Sequence, residues 1–305
     1  MGIHVSPANG EKKIRALRIL FHDLLPEEQE EQIEAVLEAE SRDELNLEGL
    51  YLAEEAGEDV GACLTLIQKD QSSFIWPPVI PEAAAWERVG STLLRQIEET
   101  QKKQGILFTQ AMLDPEARDE QSLLKKNNFK PLAELHFMEC PIAQQDFTEP
   151  KLKNRAACRV VSFAESDNES LFSSILEKTY QETLDVPEFN LLRSGEDSLS
   201  SHRLNGPFEP ELWFLFYVED EPAGLILLRN YAADQKWEVA YMGVIPAFRG
   251  VGLGTFMLQE SINRARDAGQ QAIFLAVDSR NHYAIEIYQS LGFRQTSVKQ
   301  VFIRQ

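Results

Sequence analysis

The stretch that most limits what this chain can fold into runs from Trp237 to Gly254: Trp-Glu-Val-Ala-Tyr-Met-Gly-Val-Ile-Pro-Ala-Phe-Arg-Gly-Val-Gly-Leu-Gly. An apolar, β-branched run stops at Pro246. A glycine-rich loop follows, Arg249-Gly250-Val251-Gly252-Leu253-Gly254, and a helical pattern starts at Thr255. Strand, glycine loop and helix together describe an anion cradle. Glycines let the backbone approach a ligand closely, and the first N–H groups of a helix have no partner inside it. With the positive end of the helix dipole, those donors suit a phosphate or pyrophosphate. A glycine loop alone is a weak signal, so its flanks have to agree with it.

The chain has 305 residues, room for two domains of about 150 each. With 43% apolar residues, both halves can bury a core. The net charge of −19 is uneven. Residues 1–150 hold 14 Lys and Arg against 29 Asp and Glu, a net of −15; the remainder holds 16 against 20, a net of −4. That acidity argues against a nucleic-acid-binding surface. It is compatible with a cationic substrate, and its simpler reading is a solvated acidic surface. Cys63, Cys140 and Cys158 show neither metal spacing nor a disulfide framework, which fits a reducing cytosol. No signal peptide is expected at the N-terminus, and no apolar run approaches the roughly 20 residues needed to span a bilayer. The expectation is a soluble cytoplasmic protein without a metal.

Taken in order, Ile3-His4-Val5 reads as a strand, and residues 11–22 and 26–40 as helices. Strands at 50–54 and 60–68 flank a turn at Ala56-Gly57-Glu58-Asp59. Helix 86–103 ends at Gly105, strand 106–113 and helix 119–126 follow, and residues 132–140 close the half as one or two strands. Polar residues 143–157, with Pro150, mark the domain boundary. In the second half, strand 159–163 precedes a helix capped by Asp167 and running to about 183. Residues 184–206 are irregular with one short helix. A hairpin at 211–218 and 223–231, the opening stretch, strand 272–278, helix 282–290 and strand 298–304 complete the chain. The domains are accordingly drawn at 1–145 and 156–305.

The halves can be laid on each other. Residues 89–129 align without a gap to 253–293, with five identities in 41 positions: Gly90 with Gly254, Leu94 with Leu258, Gly105 with Gly269, Asp114 with Asp278 and Phe129 with Phe293. Five identities alone carry little; the ungapped order of elements carries the reading of a duplicated domain. The copies differ where the cradle should be. The first has Glu82 and Glu87 there and one glycine, and acidic side chains repel a pyrophosphate. It also has Leu124 where the second has Tyr288. The first copy reads as one that keeps the fold without the ligand site.

Two segments carry a family resemblance. Met242-Gly-Val-Ile-Pro-Ala-Phe-Arg-Gly-Val-Gly-Leu-Gly254 is similar to the acetyl-CoA loop of the GCN5-related N-acetyltransferases. Val277-Asp-Ser-Arg-Asn-His-Tyr-Ala-Ile-Glu-Ile-Tyr-Gln-Ser-Leu-Gly-Phe293 resembles the family's second coenzyme segment. The likeness covers about Arg159 to Arg304, and the first half shares only the layout. Tandem forms with one degenerate copy occur in the family, mycothiol synthases among them, and no residue here singles out that activity. The resemblance implies an α+β fold (an α/β sandwich): two tandem domains, each a mixed, mostly antiparallel central sheet flanked by helices. The active sheet would splay between the strands at 238–245 and 272–278 to admit the coenzyme.

The resemblance also implies site residues. Met242, Gly243 and Val244 would offer backbone groups to the pantetheine arm. The pyrophosphate would sit on the N–H groups of Arg249, Gly250, Val251, Gly252, Leu253, Gly254 and Thr255, with the Arg249 side chain in reach. Asn281 and Ala284 would contact the coenzyme, Asn281 also reading as a helix cap. Tyr288, two helical turns beyond Asn281, would give a proton to the departing thiolate, or else is a core aromatic. Glu238 would take the amine proton, or else is a strand-end surface glutamate. Tyr241 would line the acceptor side or pack in the core. Cys158 is a poor acyl carrier, and the sequence assigns no role to His202 or His282.

The expected function is direct transfer of acetyl from acetyl-CoA to a primary amine of a small molecule or peptide. The alternative is an acetyl-CoA-binding sensor or scaffold without turnover. No nucleic acid, membrane or metal partner is expected, and the sequence leaves acceptor and oligomeric state open.

Overall fold

Helical and alternating periodicities fold largely where they are read. The computed structural model describes residues 2–42, 45–68, 70–144, 149–153, 156–188 and 194–305. Of the expected linker at 143–157, residues 145–148 and 154–155 lie outside the described residues, as do 189–193 of the irregular segment. The first elements are β1 (His4–Pro7), α1 (Glu11–Leu20), α2 (Pro26–Ser41), β2 (Leu50–Glu55), β3 (Glu58–Ile67) and β4 (Ser72–Ile75). Then come α3 (Trp86–Lys103), β5 (Phe108–Leu113), α4 (Arg118–Lys126) and β6 (Lys130–Pro141). The second half holds β7 (Cys158–Ser162), α5 (Phe163–Ser166), α6 (Glu169–Thr179), α7 (Gly195–Leu204), β8 (Trp213–Val218), β9 (Glu221–Tyr231) and β10 (Lys236–Val244). It ends with α8 (Leu253–Asp267), β11 (Ala272–Asp278), α9 (His282–Ser290) and β12 (Arg294–Arg304).

Helix α3 shows the rule at work. Val89, Leu93, Leu94 and Ile97 recur at helical spacing and are all buried, while its charged residues take the other face. One helix differs from its reading. Asp167 does not cap the start of α6; it is the C-cap of α5, in a left-handed conformation (φ 43). Asn168 caps α6 instead, its side chain accepting from Leu171 N–H at 3.0 Å. An amide or carboxylate serves equally as a cap, so composition does not choose between neighbours.

The repeat is visible in the elements. Helices α4 and α9, at 118–126 and 282–290, are offset by 164 residues, as are the starts of β5 and β11 at 108 and 272. Backbone conformation repeats with them: Gly105 (φ 75) matches Gly269 (φ 74), and Asn128 (φ 67) matches Gly292 (φ 88).

The chain divides into two compact units, but not at the linker. One comprises Met1–Leu132 with Gln300–Gln305, the other Ala133–Lys299. These units differ from the expected domain limits of 1–145 and 156–305, and strand pairing sets the difference. In the first unit the neighbours run β1-β2-β3-β4-β5-β12, with β4 and β5 parallel and the other pairs antiparallel. The last residues of the chain supply its closing strand, Gln300–Arg304 against Leu113–Thr109. In the second unit β6 lies antiparallel to β11, then β10, β9, β8 and β7 follow, with β10 and β11 parallel and the rest antiparallel. Residues 133–141 of β6 thus belong to the second unit, and residues 300–304 of β12 to the first. Both sheets are mixed and mostly antiparallel, with helices packed on them.

The exchanged end is well anchored in the first unit. Phe302 is fully buried there, and Arg304 donates to Leu94 O at 3.3 Å and lies over the Phe129 ring. Burial lowers the Arg304 pKa, and Glu98 at 3.5 Å opposes that shift. Phe302→Ala should cost about 3–5 kcal/mol in urea unfolding, the range for emptying a buried aromatic site. A cost below about 1 kcal/mol would show that the chain end does not complete this core.

Candidate active site

The site begins where β10 and β11 part. They pair only at Lys236–Glu238 against Ala272–Phe274. Beyond Glu238 the facing edge of β10 has no strand partner, and a cleft of about 770 Å³ opens between the strands. On its other edge β10 carries a bulge against β9, with Ala240 as the extra residue between Val239 and Tyr241. A bulge reverses the alternation of side chains. Trp237 and Val239 face the core beneath α8, as do Met242 and Val244, while Tyr241 turns to the opposite core beneath α6.

That turn places Tyr241 against Thr179, 2.7 Å between hydroxyls. Thr179 donates to Leu176 O at 2.6 Å, so Tyr241 is the donor of the pair. Gly243 is required beside it, because a Cβ there would lie 2.6 Å from Thr179. Burial raises the Tyr241 pKa, so it stays a phenol.

The loop after β10 is tied down by Arg249. Its guanidinium donates to Val244 O (3.0 Å), Thr179 O (3.1 Å), Gln181 O (2.7 Å) and Glu182 O (3.2 Å). Three of these carbonyls lie at and after the end of α6, where a cation is favoured by the helix dipole. The Arg249 N–H also donates, to Pro246 O at 3.1 Å. The run of unpartnered N–H groups therefore starts one residue later than expected, at Gly250, and the Arg249 side chain, though at the cleft, is engaged with carbonyls. From Gly250 to Thr255 no N–H finds an acceptor among the described residues. Gly250 (φ 81) and Gly252 (φ 90) hold the left-handed conformations that aim these donors, and α8 has no side-chain cap.

Of the other expected residues, Asn281 caps α9, accepting from Ala284 N–H at 3.3 Å, and both line the cleft. Met242, Gly243, Val244, Gly252, Leu253, Gly254, Thr255 and Tyr288 line it too. Val251 does not; it packs toward the core, and its carbonyl accepts from Lys153 N–H at 3.0 Å. Glu238 does not either. The β9 register sets Arg229 directly opposite it, and the two pair at 3.2 Å while Tyr231 OH donates at 3.0 Å. The expectation of Glu238 as a base at the cleft is thus not supported by its placement.

Tyr288 is 6% exposed, and its hydroxyl makes no hydrogen bond among the described residues. Burial, with a contribution from Asp185, raises its pKa and keeps it protonated at neutral pH. The Cys158 thiol, half-buried, is pushed up to about 11 and is no nucleophile at neutral pH. Among the described residues no three His, Cys, Asp or Glu are placed to hold a metal, and no helix is long and apolar enough to cross a membrane.

Sequence reasoning gave no role to four charged residues that line the cleft, Lys153, Glu182, Asp185 and Glu286, and two of them stand out. Lys153, from the supposed linker, lies against Gly252, with Cγ 3.2 Å from the position of an added Cβ. It has no carboxylate partner among the described residues. Asp185 comes from the irregular segment after α6. Neither belongs to a motif; only their polarity beside Pro150 and Pro187 was readable.

Comparison with known proteins agrees with this geometry. A model of the acetyltransferase (GNAT) family matches residues 174–293. A mycothiol acetyltransferase of Nocardiopsis dassonvillei is 25% identical over 226 residues, 67% of this chain and 66% of its own length. The chain therefore spans just under two thirds of that relative. A GCN5-related N-acetyltransferase from Sphaerobacter thermophilus superposes with TM-score 0.64 at 18% identity, covering 99% of this chain and 95% of its own. A tandem GNAT protein from the clavulanic acid biosynthesis pathway does so with TM-score 0.55 at 11% identity, covering 99% and 98%. At these identities the two structures speak for the fold.

The cradle makes a direct prediction. Gly252→Glu puts a carboxylate among the free donors and should weaken acetyl-CoA binding about 100-fold or more by calorimetry. Unchanged affinity would remove the loop as the phosphate site.

Proposed function

We propose, for a chain that belongs to the GNAT acetyltransferase family, that its second unit moves acetyl from acetyl-CoA to a primary amine of a small molecule or peptide by direct attack. The observation that carries this reading is one cleft with unpartnered donors at both of its working points. The N–H groups of 250–255 suit a pyrophosphate. The free Tyr288 hydroxyl suits a developing thiolate. The open edge of β10 between them offers backbone groups to an extended arm, though Val244 O already serves Arg249. Bound acetyl-CoA would supply an activated thioester.

Tyr288 acts in this reading as a hydrogen-bond donor to sulfur. A phenol is a weaker acid than a thiol, about 10 against 8.5. Its proton therefore steadies the leaving charge first and transfers as another proton replaces it. With Cys158 held as a thiol, an acyl-enzyme through it is disfavoured.

The first unit is proposed to have lost the coenzyme site. Helix α3 starts at Trp86, three residues earlier than α8 by the 164-residue offset, so helix replaces loop. Glu87 occupies its first turn and pairs with Lys126 at 2.6 Å. Three free cysteines fit a cytoplasmic setting.

The placement of Glu238 favours one rival, a coenzyme-binding protein without turnover. Assay of acetyl-CoA consumption with polyamines, amino-acid amines, aminoglycosides and peptides separates the two. Tyr288→Phe should lower turnover by about 10²- to 10³-fold with little change in acetyl-CoA affinity. Equal turnover would return Tyr288 to a packing role.

A further inference from the structure

The cleft holds a carboxylate that no sequence motif announces. Asp185 lines it together with Tyr241 and Tyr288, and is accessible to solvent. Its Oδ1 accepts from the Asp278 N–H at 2.9 Å. Its own N–H donates to Thr183 Oγ1 at 3.1 Å. Oδ2 makes no hydrogen bond among the described residues. One oxygen is thus fixed and the other left free, in the cleft where the Tyr288 hydroxyl is also unpartnered.

The support beneath Asp185 is rigid. Asp278, at the end of β11, has no exposed surface. It accepts from Val186 N–H at 3.1 Å and pairs with Arg280 at 2.6 Å. Arg280 in turn grips Glu188 at 2.7 and 2.9 Å. Arg249 holds the preceding carbonyls of 179–182. The segment carrying Asp185 is therefore braced on both sides of that residue.

We propose that Asp185 receives the protonated amine of the acceptor and accepts its proton, so that the acceptor class is a cationic alkylamine. The proposal rests on the acetyl-transfer reading above. An alkylammonium has a pKa of about 10.4 and is scarcely neutral at pH 7. Oδ2 binds the ammonium and takes one proton. The nitrogen lone pair then forms the C–N bond at the thioester carbonyl, and the C–S bond breaks. The second nitrogen proton replaces the one that Tyr288 gives to sulfur. Ammonium and thioester become amide, thiol and one proton held by Asp185, which returns it to water.

Electrostatics agrees with that role. Protein around the carboxylate thins its hydration and raises its pKa, and the Asp278 charge adds to this. The Asp278 N–H and Arg280 oppose the rise, and access from the cleft limits it. Tyr241 and Tyr288 face it as phenols, Glu188 is neutralised by Arg280, and Arg249 is engaged with carbonyls. A raised carboxylate pKa narrows the gap to the ammonium, which eases the transfer.

The test compares an amine that is protonated at pH 7, ethanolamine, with one already neutral, hydroxylamine. Acetyl-CoA affinity reports on the fold and the loop. Wild-type kcat/KM with ethanolamine should rise with pH as Asp185 loses its proton. Asp185→Asn, which keeps an acceptor for the Asp278 N–H, should lower kcat/KM for ethanolamine about 10²- to 10³-fold and abolish that limb. Hydroxylamine should recover most of the loss, and Asp185→Glu should recover part of it. Equal losses with both amines, or none, would overturn the proposal and leave acetyl transfer standing. Wild-type protein that does not bind acetyl-CoA, or binds it and acetylates neither amine, would instead overturn the acetyl-transfer reading, and this one with it.

Discussion

Everything chemical in the second unit depends on where two parallel strands stop pairing. β10 and β11 share three residue pairs and then separate. Had the ladder continued, the backbone of 239–244 would be satisfied by β11 and no cleft would exist. Once it stops, those strand groups need another partner, and an extended ligand can supply it. The bulge at Ala240 is the second half of the same constraint. It sends Tyr241 to the α6 side, where its bond to Thr179 fixes the end of that helix over the opening.

Arg249 links that helix end to the loop. A single guanidinium satisfies four carbonyls drawn from two chain segments. Its value is geometric: the loop that presents N–H groups 250–255 and the segment that presents Asp185 are held by one side chain. The division of labour is clear in the charges. Free N–H groups and Lys153 gather by the loop, while a carboxylate and a phenol stand near the parting strands. In the first unit the same layout is kept with helix and Glu87 where the loop would be, and its core is completed by the chain's own last strand.

Much of this was legible in the chain. Helices α3 and α9 and strand β11 lie where periodicity put them, because local apolar spacing decides them. Most of the loop and the positions Asn281, Ala284 and Tyr288 line one cleft, since short motifs and helical spacing carry their geometry with them. What the sequence did not show depends on register. Glu238 faces Arg229 because of strand pairing with β9, and nothing in its own neighbourhood says so. The limits of the compact units are of the same kind: the polar linker is readable, but which sheet a strand joins is not.

The sequence by itself determined the element order, the duplicated layout and the glycine loop that opens α8, because each is encoded in local pattern. Tertiary structure alone decided the exchange of β6 and β12, the release of Asp185 into the cleft and the engagement of Arg249 and Glu238 elsewhere. Those outcomes turn on which hydrogen-bonding groups meet across 60 or more residues of chain, or across a bulged ladder. Local pattern holds no information about such meetings; they are settled only when every buried donor and acceptor has found its partner.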